Sequence, residues 1–443
     1  MRYVVVNPGA NEKMYGSVSY NVGIEPPYWV ALKAAILREA GYDVRIIDAD
    51  AENLSPLEVV RIAKDYKPDA IEVISLGITP SCSSTPKMTA STEILLGVEK
   101  EIPERYISGI HPSALVVRTE GETHSKVVPV VPFDNIDDFP IPAWDLLPMD
   151  KYRTHQWHCW GRGDRSPYGS LYSSYGCPFN CSFCTIHKLY DFPTMKYPSV
   201  DRVIQELDIL HNEYGITNVR FIDELFVARK DRAIELCKKI KERNYGLNMW
   251  AFSRVDLIDE EIVNAMLEAG FGWQVFGIES VDASVRNGIG KKFGTGELVE
   301  AIELVRRLGA HVVGDFIFGL PDDDHASMRR TLDFARENLF EFVNFYVAMA
   351  YPGSDLYYDM LENNVTLPDE WSAYSQYSRD IVPLPTKHLT GKEVLSFRDN
   401  AFIEYYSAPD YLEMMEREFG GGTVEQIKEL LTHKLEREIL NES

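Results

Sequence analysis

Cys177-Pro178-Phe179-Asn180-Cys181-Ser182-Phe183-Cys184 decides how the rest of the chain is read. Three cysteines follow the pattern C-x3-C-x2-C, with an aromatic residue directly before the last. Three thiolates on one tight loop can each take one iron of a [4Fe–4S] cube, whereas protein clusters normally use four cysteines. With three, the fourth iron stays open to a small molecule. The competing reading is a zinc knuckle, yet zinc sites of that kind close with four ligands in paired short spacings. No second C-x2-C or H-x3-H follows, and Cys82, Cys159 and Cys237 lie apart with no shared spacing.

Composition narrows the setting. At 443 residues the chain is long for one domain and comfortable for two or three. Lys and Arg total 45 against 68 Asp and Glu, a formal charge of −23. Nucleic-acid binding depends on clustered basic charge, so that balance disfavours it. No apolar run approaches the roughly 20 residues of a membrane span, and Met1-Arg-Tyr-Val-Val-Val-Asn-Pro reads as a strand and turn rather than a signal peptide. Six cysteines in a chain this size make no disulfide framework, which fits a reducing cytoplasm.

The organisation is α/β. Residues 1–75 alternate strands (3–6, 44–47, 70–76) with helices (29–40, 55–65); Gly41 is the expected stop of the first helix, with Ser55 and Pro56 opening the second. This rhythm predicts a Rossmann-like domain over 1–130. Residues 131–165 read as a linker rich in proline and aromatics. Within it, His155-Gln156-Trp157-His158-Cys159-Trp160 could bind a metal or pack as an aromatic connector on both domains. From 166 to 360 the rhythm resumes, with strands expected at 171–175, 218–222, 246–252, 273–277, 312–318 and 342–348. Helical segments fill the gaps, and residues 361–443 form a helical tail with two amphipathic helices. In parallel βα folds the chemistry gathers at the carboxyl ends of the strands, and the cysteine loop follows the first strand there.

The cysteine triplet and these strand ends resemble the radical S-adenosylmethionine (SAM) superfamily from about residue 166 to 360. The resemblance implies a partial (β/α)6 barrel in which Cys177, Cys181 and Cys184 hold a [4Fe–4S] cluster. SAM chelates its open iron and is cleaved by one electron to a 5′-deoxyadenosyl radical. It also implies SAM contacts: Phe183 on the adenine, Asp223 or Glu224 on the amino group, Arg254 on the carboxylate, and Glu279 on the ribose or amino group. Gly314–Pro321 and Tyr346–Ser354 match the fifth and sixth strands with their turns. Asn7-Pro8, Ile24-Glu25-Pro26-Pro27, Ile46-Ile47-Asp48-Ala49 and Ser108-Gly109-Ile110-His111-Pro112-Ser113-Ala114 are similar to the cobalamin-binding domain of one subgroup. That domain is shortened here at its C-terminal edge. The chain lacks D-x-H-x-x-G, so His111 is read as a cobalamin contact or a structural histidine.

The resemblance implies a cobalamin-dependent C-methyltransferase. A cyclase, mutase or epimerase without methyl transfer is the alternative, and a non-catalytic iron–sulfur protein a remote one. Expected partners are a small-molecule or biosynthetic-intermediate substrate and a reducing donor of flavodoxin or ferredoxin type, with no nucleic acid. Transfer-RNA methylthiolation is disfavoured by charge and by the lack of a second cysteine triplet. No residue is singled out as a catalytic acid or base.

Overall fold

The computed structural model describes residues 1–10, 22–77, 79–111, 126–131, 136–190 and 195–441. The N-terminal sheet holds β1 (Arg2–Asn7), β2 (Asp43–Asp48), β3 (Ala70–Ser75), β4 (Glu104–Gly109) and β5 (Lys126–Val127), in the order β2-β1-β3-β4-β5. All neighbours are parallel. Val4, Val5, Val6, Ile71 and Val73 are fully buried, as central strands covered on both faces must be. Helices α1 (Tyr28–Glu39), α2 (Pro56–Tyr66) and α3 (Thr85–Gly97) supply that cover. Ser55 caps α2 as expected, and Glu58 reaches back to complete a capping box. Gly41, at φ +87°, takes the left-handed turn after α1. From β1 the chain steps to β2 on one side, and β3 lies on the other. The resulting switch point opens at the carboxyl ends of β1 and β3, where such sheets bind ligands. β5 spans Lys126–Val127 and pairs with Tyr106 and Ile107 of β4. Residues 112–114 of the quoted motif lie outside the described residues.

The second sheet runs β11-β10-β9-β8-β7-β6 in unbroken chain order, every pair parallel. Its strands are β6 (Tyr168–Leu171), β7 (Asn218–Phe221), β8 (Asn248–Ser253), β9 (Phe271–Glu279), β10 (His311–Phe318) and β11 (Phe342–Val347). Helices α4 (Val200–Tyr214), α5 (Lys230–Arg243), α6 (Glu260–Ala269), α7 (Thr295–Leu308) and α8 (His325–Asn338) connect them. The six expected units are present, and β6 and β11 leave the barrel open. One strand was expected too late: the first spans Tyr168–Leu171, not 171–175. Tyr-Gly-Ser-Leu is poor in strand formers. The tyrosines after it instead dock the N-terminal domain, with Tyr175 Oη 2.7 Å from Tyr28 Oη and Trp29 Nε1–H donating to Tyr172 Oη.

The linker is a plug. Trp157 packs edge-on against Trp250 and Trp273 and stacks on Phe342, filling the amino end of the barrel. Ile24 and Arg153 form a bridge back to the N-terminal domain. His158 is wholly buried against Thr154, and the Cys159 thiol donates to Asp164 O and Asn218 Oδ1. The segment is therefore an aromatic connector touching both domains.

The tail holds more helix than the two segments expected. After α9 (Asp355–Glu362) come α10 (Gly391–Tyr406), α11 (Pro409–Phe419) and α12 (Gly421–Thr432). Side chains from it satisfy the free edge of β11. Arg398 Nε–H donates to Phe345 O, Tyr406 Oη–H to Val343 O, and Gln376 bonds both polar groups of Val347. An uncovered buried edge would leave these backbone groups unpaired.

Candidate active site

A cavity of about 770 Å³ runs through the barrel lumen. Cys177, Cys181 and Cys184 border it, as do Phe183, Asp223, Glu224, Arg254 and Glu279. The structure thus brings together every residue expected to contact the cluster or SAM. The cysteine loop is pinned from several sides. Cys184 N–H donates to Cys181 O, Ser182 N–H to Ile289 O, Leu356 N–H to Ser182 O, and Asn180 Nδ2–H to Asp355. Burial pushes the Cys177 thiol up to about 11 and that of Cys184 to about 12, so thiolate character there depends on a bound metal. Among the described residues no three His, Cys, Asp or Glu side chains converge as one bound ion requires.

The paired carboxylates after β7 divide their work. Asp223 is fully buried and takes three bonds from the start of the cysteine loop: Ser173 N–H at 2.7 Å, Ser173 Oγ–H at 2.7 Å and Ser174 Oγ–H at 2.5 Å. Glu224 is half-buried on the cavity and accepts from Gly176 N–H and Tyr190 Oη–H. Burial pushes its carboxyl up to about 8, with no cation paired to it. Asp223 therefore anchors the loop, and Glu224 is the more exposed of the two on the cavity. Replacing Asp223 by Ala strands three donors and should cost about 1–3 kcal/mol. Thermal unfolding and iron content after anaerobic reconstitution should both fall; full iron loading at unchanged stability would remove the anchor role.

Arg254 lies flat on Phe179 of the cysteine loop, its guanidinium carbon 3.7 Å from the ring centroid. Its fork is already engaged by Asp256, at 2.9 Å through Nε and 2.8 Å through Nη2. Only Nη1 lies outside that pair. Glu279 sits at φ +62°, a left-handed conformation uncommon outside glycine and often tied to function. Lys291 Nζ–H donates to its carboxylate at 2.8 Å. Phe183 packs between two small apolar clusters, one around Leu356 and Tyr357 and the other around Ile289 and Leu320.

The N-terminal domain reaches the same cavity. The turn Pro80–Ser83, just beyond β3 at the switch point, places Ser81 Oγ 3.9 Å from Cys184 Sγ, 2.9 Å from Thr185 Oγ1 and 3.1 Å from Thr185 N. Cys82, thought to lie apart, borders the cavity beside it. A flat cofactor held at the switch point would therefore face the cysteine loop. His111 lies beside this turn, with its Nε2 unpartnered among the described residues. It is fully buried in the interface, with Nδ1 3.1 Å from Pro352 O, and burial pushes its imidazole down to about 4.

Sequence reading missed Lys291, Ser81, Cys82, and the pairs Arg220–Glu25 and Asp315–Asn344. Ser81 and the Glu25–Arg220 pair sit far along the chain from the groups they meet, and Lys291 and Asp315 reach theirs only through the fold. The one local clue was a buried-strand pattern interrupted by Arg220 and Asp315.

An open parallel barrel with three cysteines beyond its first strand, joined to a Rossmann-like domain, is the framework of an iron–sulfur barrel enzyme. Residues 171–335 match the sequence profile of the radical SAM superfamily. A Pyrococcus horikoshii protein described as uncharacterized methyltransferase PH0819 is 31% identical over 87% of this chain and 89% of its own. The cytidylyl-2-hydroxyethylphosphonate methyltransferase of Streptomyces wedmorensis is 25% identical over 81% of this chain and 82% of its own. Among solved structures, the radical S-adenosylmethionine methyltransferase TsrM from Kitasatospora setae, with cobalamin and a [4Fe–4S] cluster bound, shares the fold. Its TM-score is 0.63 over 83% of this chain and 80% of that one, at 15% identity. The chain belongs to the radical SAM superfamily.

Proposed function

We propose that this protein is a cobalamin-dependent radical SAM methyltransferase acting on an unactivated carbon of a small molecule. The supporting observation is that the cysteine loop and the switch-point turn of the N-terminal sheet meet at one cavity, joined by Ser81 and Thr185. Cys177, Cys181 and Cys184 would hold three irons. Glu224 would take the SAM ammonium, a charge-assisted bond, while Nη1 of Arg254 would serve the carboxylate and Phe183 the adenine. Lys291 would hold the Glu279 carboxylate in place for a hydroxyl or amino group. Asn7, Pro8 and the Thr79–Ser83 turn would cradle cobalamin at the switch point. When bound, these groups supply the hydrogen-abstracting radical and the methyl group. The protein's share is orientation, and the apolar lumen keeps water from the reacting carbon.

Among the described residues no helix is long and apolar enough to cross a membrane. All six cysteines are unbridged, which suits a reducing cytoplasm and a flavodoxin- or ferredoxin-type donor.

Anaerobic reconstitution with iron, sulfide and cobalamin tests the reading. The expected result is stoichiometric cobalamin, 5′-deoxyadenosine on reduction, and label from methyl-labelled SAM retained on the bound cobalamin. SAM cleavage with no cobalamin retained would overturn methyl transfer in favour of a cyclase, mutase or epimerase.

A further inference from the structure

Charged groups lining the lumen mostly come as compensated pairs: Arg220 with Glu25, Lys291 with Glu279, Arg254 with Asp256, and Arg398 with Asp399. Asp315 differs. It lies in the middle of β10 on the cavity, and its hydrogen-bond partner is a neutral amide, Asn344 Nδ2–H on β11, at 2.7 Å. In register, Gly277 of β9 pairs with Asp315, and Asp315 with Asn344, so the three form one rung across adjacent strands. The paired head groups of Glu279 and Lys291 lie over Gly277, on the same rung as Asp315. A Cβ there would lie 2.7 Å from Glu279 Oε1 and 2.9 Å from Lys291 Nζ. Phe252, Trp250 and Tyr351 add apolar wall to the same cavity.

Among the described residues no cation forms an ion pair with this carboxylate, and Lys291 and Arg220 act on it only from farther away, so keeping it in such surroundings is costly. Burial pushes it up to about 7 despite the Asn344 bond. With Oδ1 engaged by Asn344, Oδ2 and the amide oxygen of Asn344 remain as acceptors. They suit a ligand that donates hydrogen bonds and repel one that brings its own negative charge.

We propose that Asp315 and Asn344 anchor the substrate, and that the substrate is a mainly apolar molecule presenting an ammonium or hydroxyl donor to this pair rather than a carboxylate or phosphate. The inference rests on the reading of the lumen as the reaction chamber.

The test uses the reconstituted full-length protein and its tryptophan fluorescence, since Trp157 and Trp250 border the cavity. Three probes share one ring and differ in head group: 2-phenylethylamine, 2-phenylethanol and 3-phenylpropionate. The amine and alcohol should bind saturably and the carboxylate about tenfold or more weakly. Asp315→Asn should weaken the amine by about tenfold while changing the alcohol little, because an amide still accepts. Asn344→Ala, which leaves the carboxylate in place, should weaken both. Equal binding of all three probes, no saturable binding of any, or an amine preference unchanged in Asp315→Asn overturns the anchor. Cluster absorbance of the same samples keeps the two readings apart. A full cluster with indifferent probes refutes the pair alone, whereas a missing cluster refutes the radical reading and leaves the probe result standing.

Discussion

Cys177→Ala, Cys181→Ala and Cys184→Ala should each reduce 5′-deoxyadenosine formation to background and strip the cluster absorbance from reconstituted protein. The physical reason is that each sulfur would hold a different iron of the proposed cluster, and no other cysteine in the described structure shares the loop. Cys159 and Cys237 are buried elsewhere in the barrel shell. Cys159→Ser and Cys237→Ser should therefore keep full iron content, and so should Cys82→Ser. Cys82 is the informative comparison, because it borders the same cavity from the opposite domain. If its replacement also loses iron, the fourth corner is not open to SAM and the radical mechanism fails.

The second large effect is expected at the seam between the domains. Glu25, from the N-terminal domain, meets Arg220 of β7 at 2.8 Å, and both side chains are almost wholly buried. The Arg220 guanidinium also lies 4.4 Å over the Trp250 ring. Burial opposes the charge on Glu25, yet Arg220 and His155 hold its carboxyl below the usual range. Glu25→Ala leaves a buried cation without its anion, a change that costs about 3–5 kcal/mol. Denaturant unfolding should show that loss, and the double change Glu25→Gln with Arg220→Met should recover much of it, since removing both charges avoids the stranded one. The sign with pH follows from the lowered carboxyl. The contribution is complete above the unfolded value of about 4.3 and fades as pH falls through the lower folded value. A Glu25→Ala protein as stable as the parent at neutral pH would show the pair contributes nothing.

Much of this architecture was legible in the chain. Period-two and period-3.6 patterns placed all six βα units, and the helix at 200–214 was expected with its observed ends. The cysteine loop and the carboxylates after β7 and β9 were found because their chemistry is written in adjacent residues. The misplaced first strand shows the limit. Tyr172 and Tyr175 look like strand formers, but tertiary packing on Tyr28 and Trp29 claims them. Side-chain pairings across strands are invisible for a related reason. Asp315 and Asn344 are joined only by sheet register, and Glu25 and Arg220 only by domain docking. The tail's grip on β11 depends likewise on Arg398 and Tyr406 reaching backbone that no local pattern marks.

The tryptophan that closes the amino end of the barrel has a consequence for what can react. With that end stoppered, the lumen is a blind alley: a chain cannot be threaded through, and whatever enters must back out by the same door. The cavity continues to Leu430, Leu431 and Leu435 at the end of the tail. The tail is thus part of the chamber wall, and its leucines help set the shape that an occupant meets.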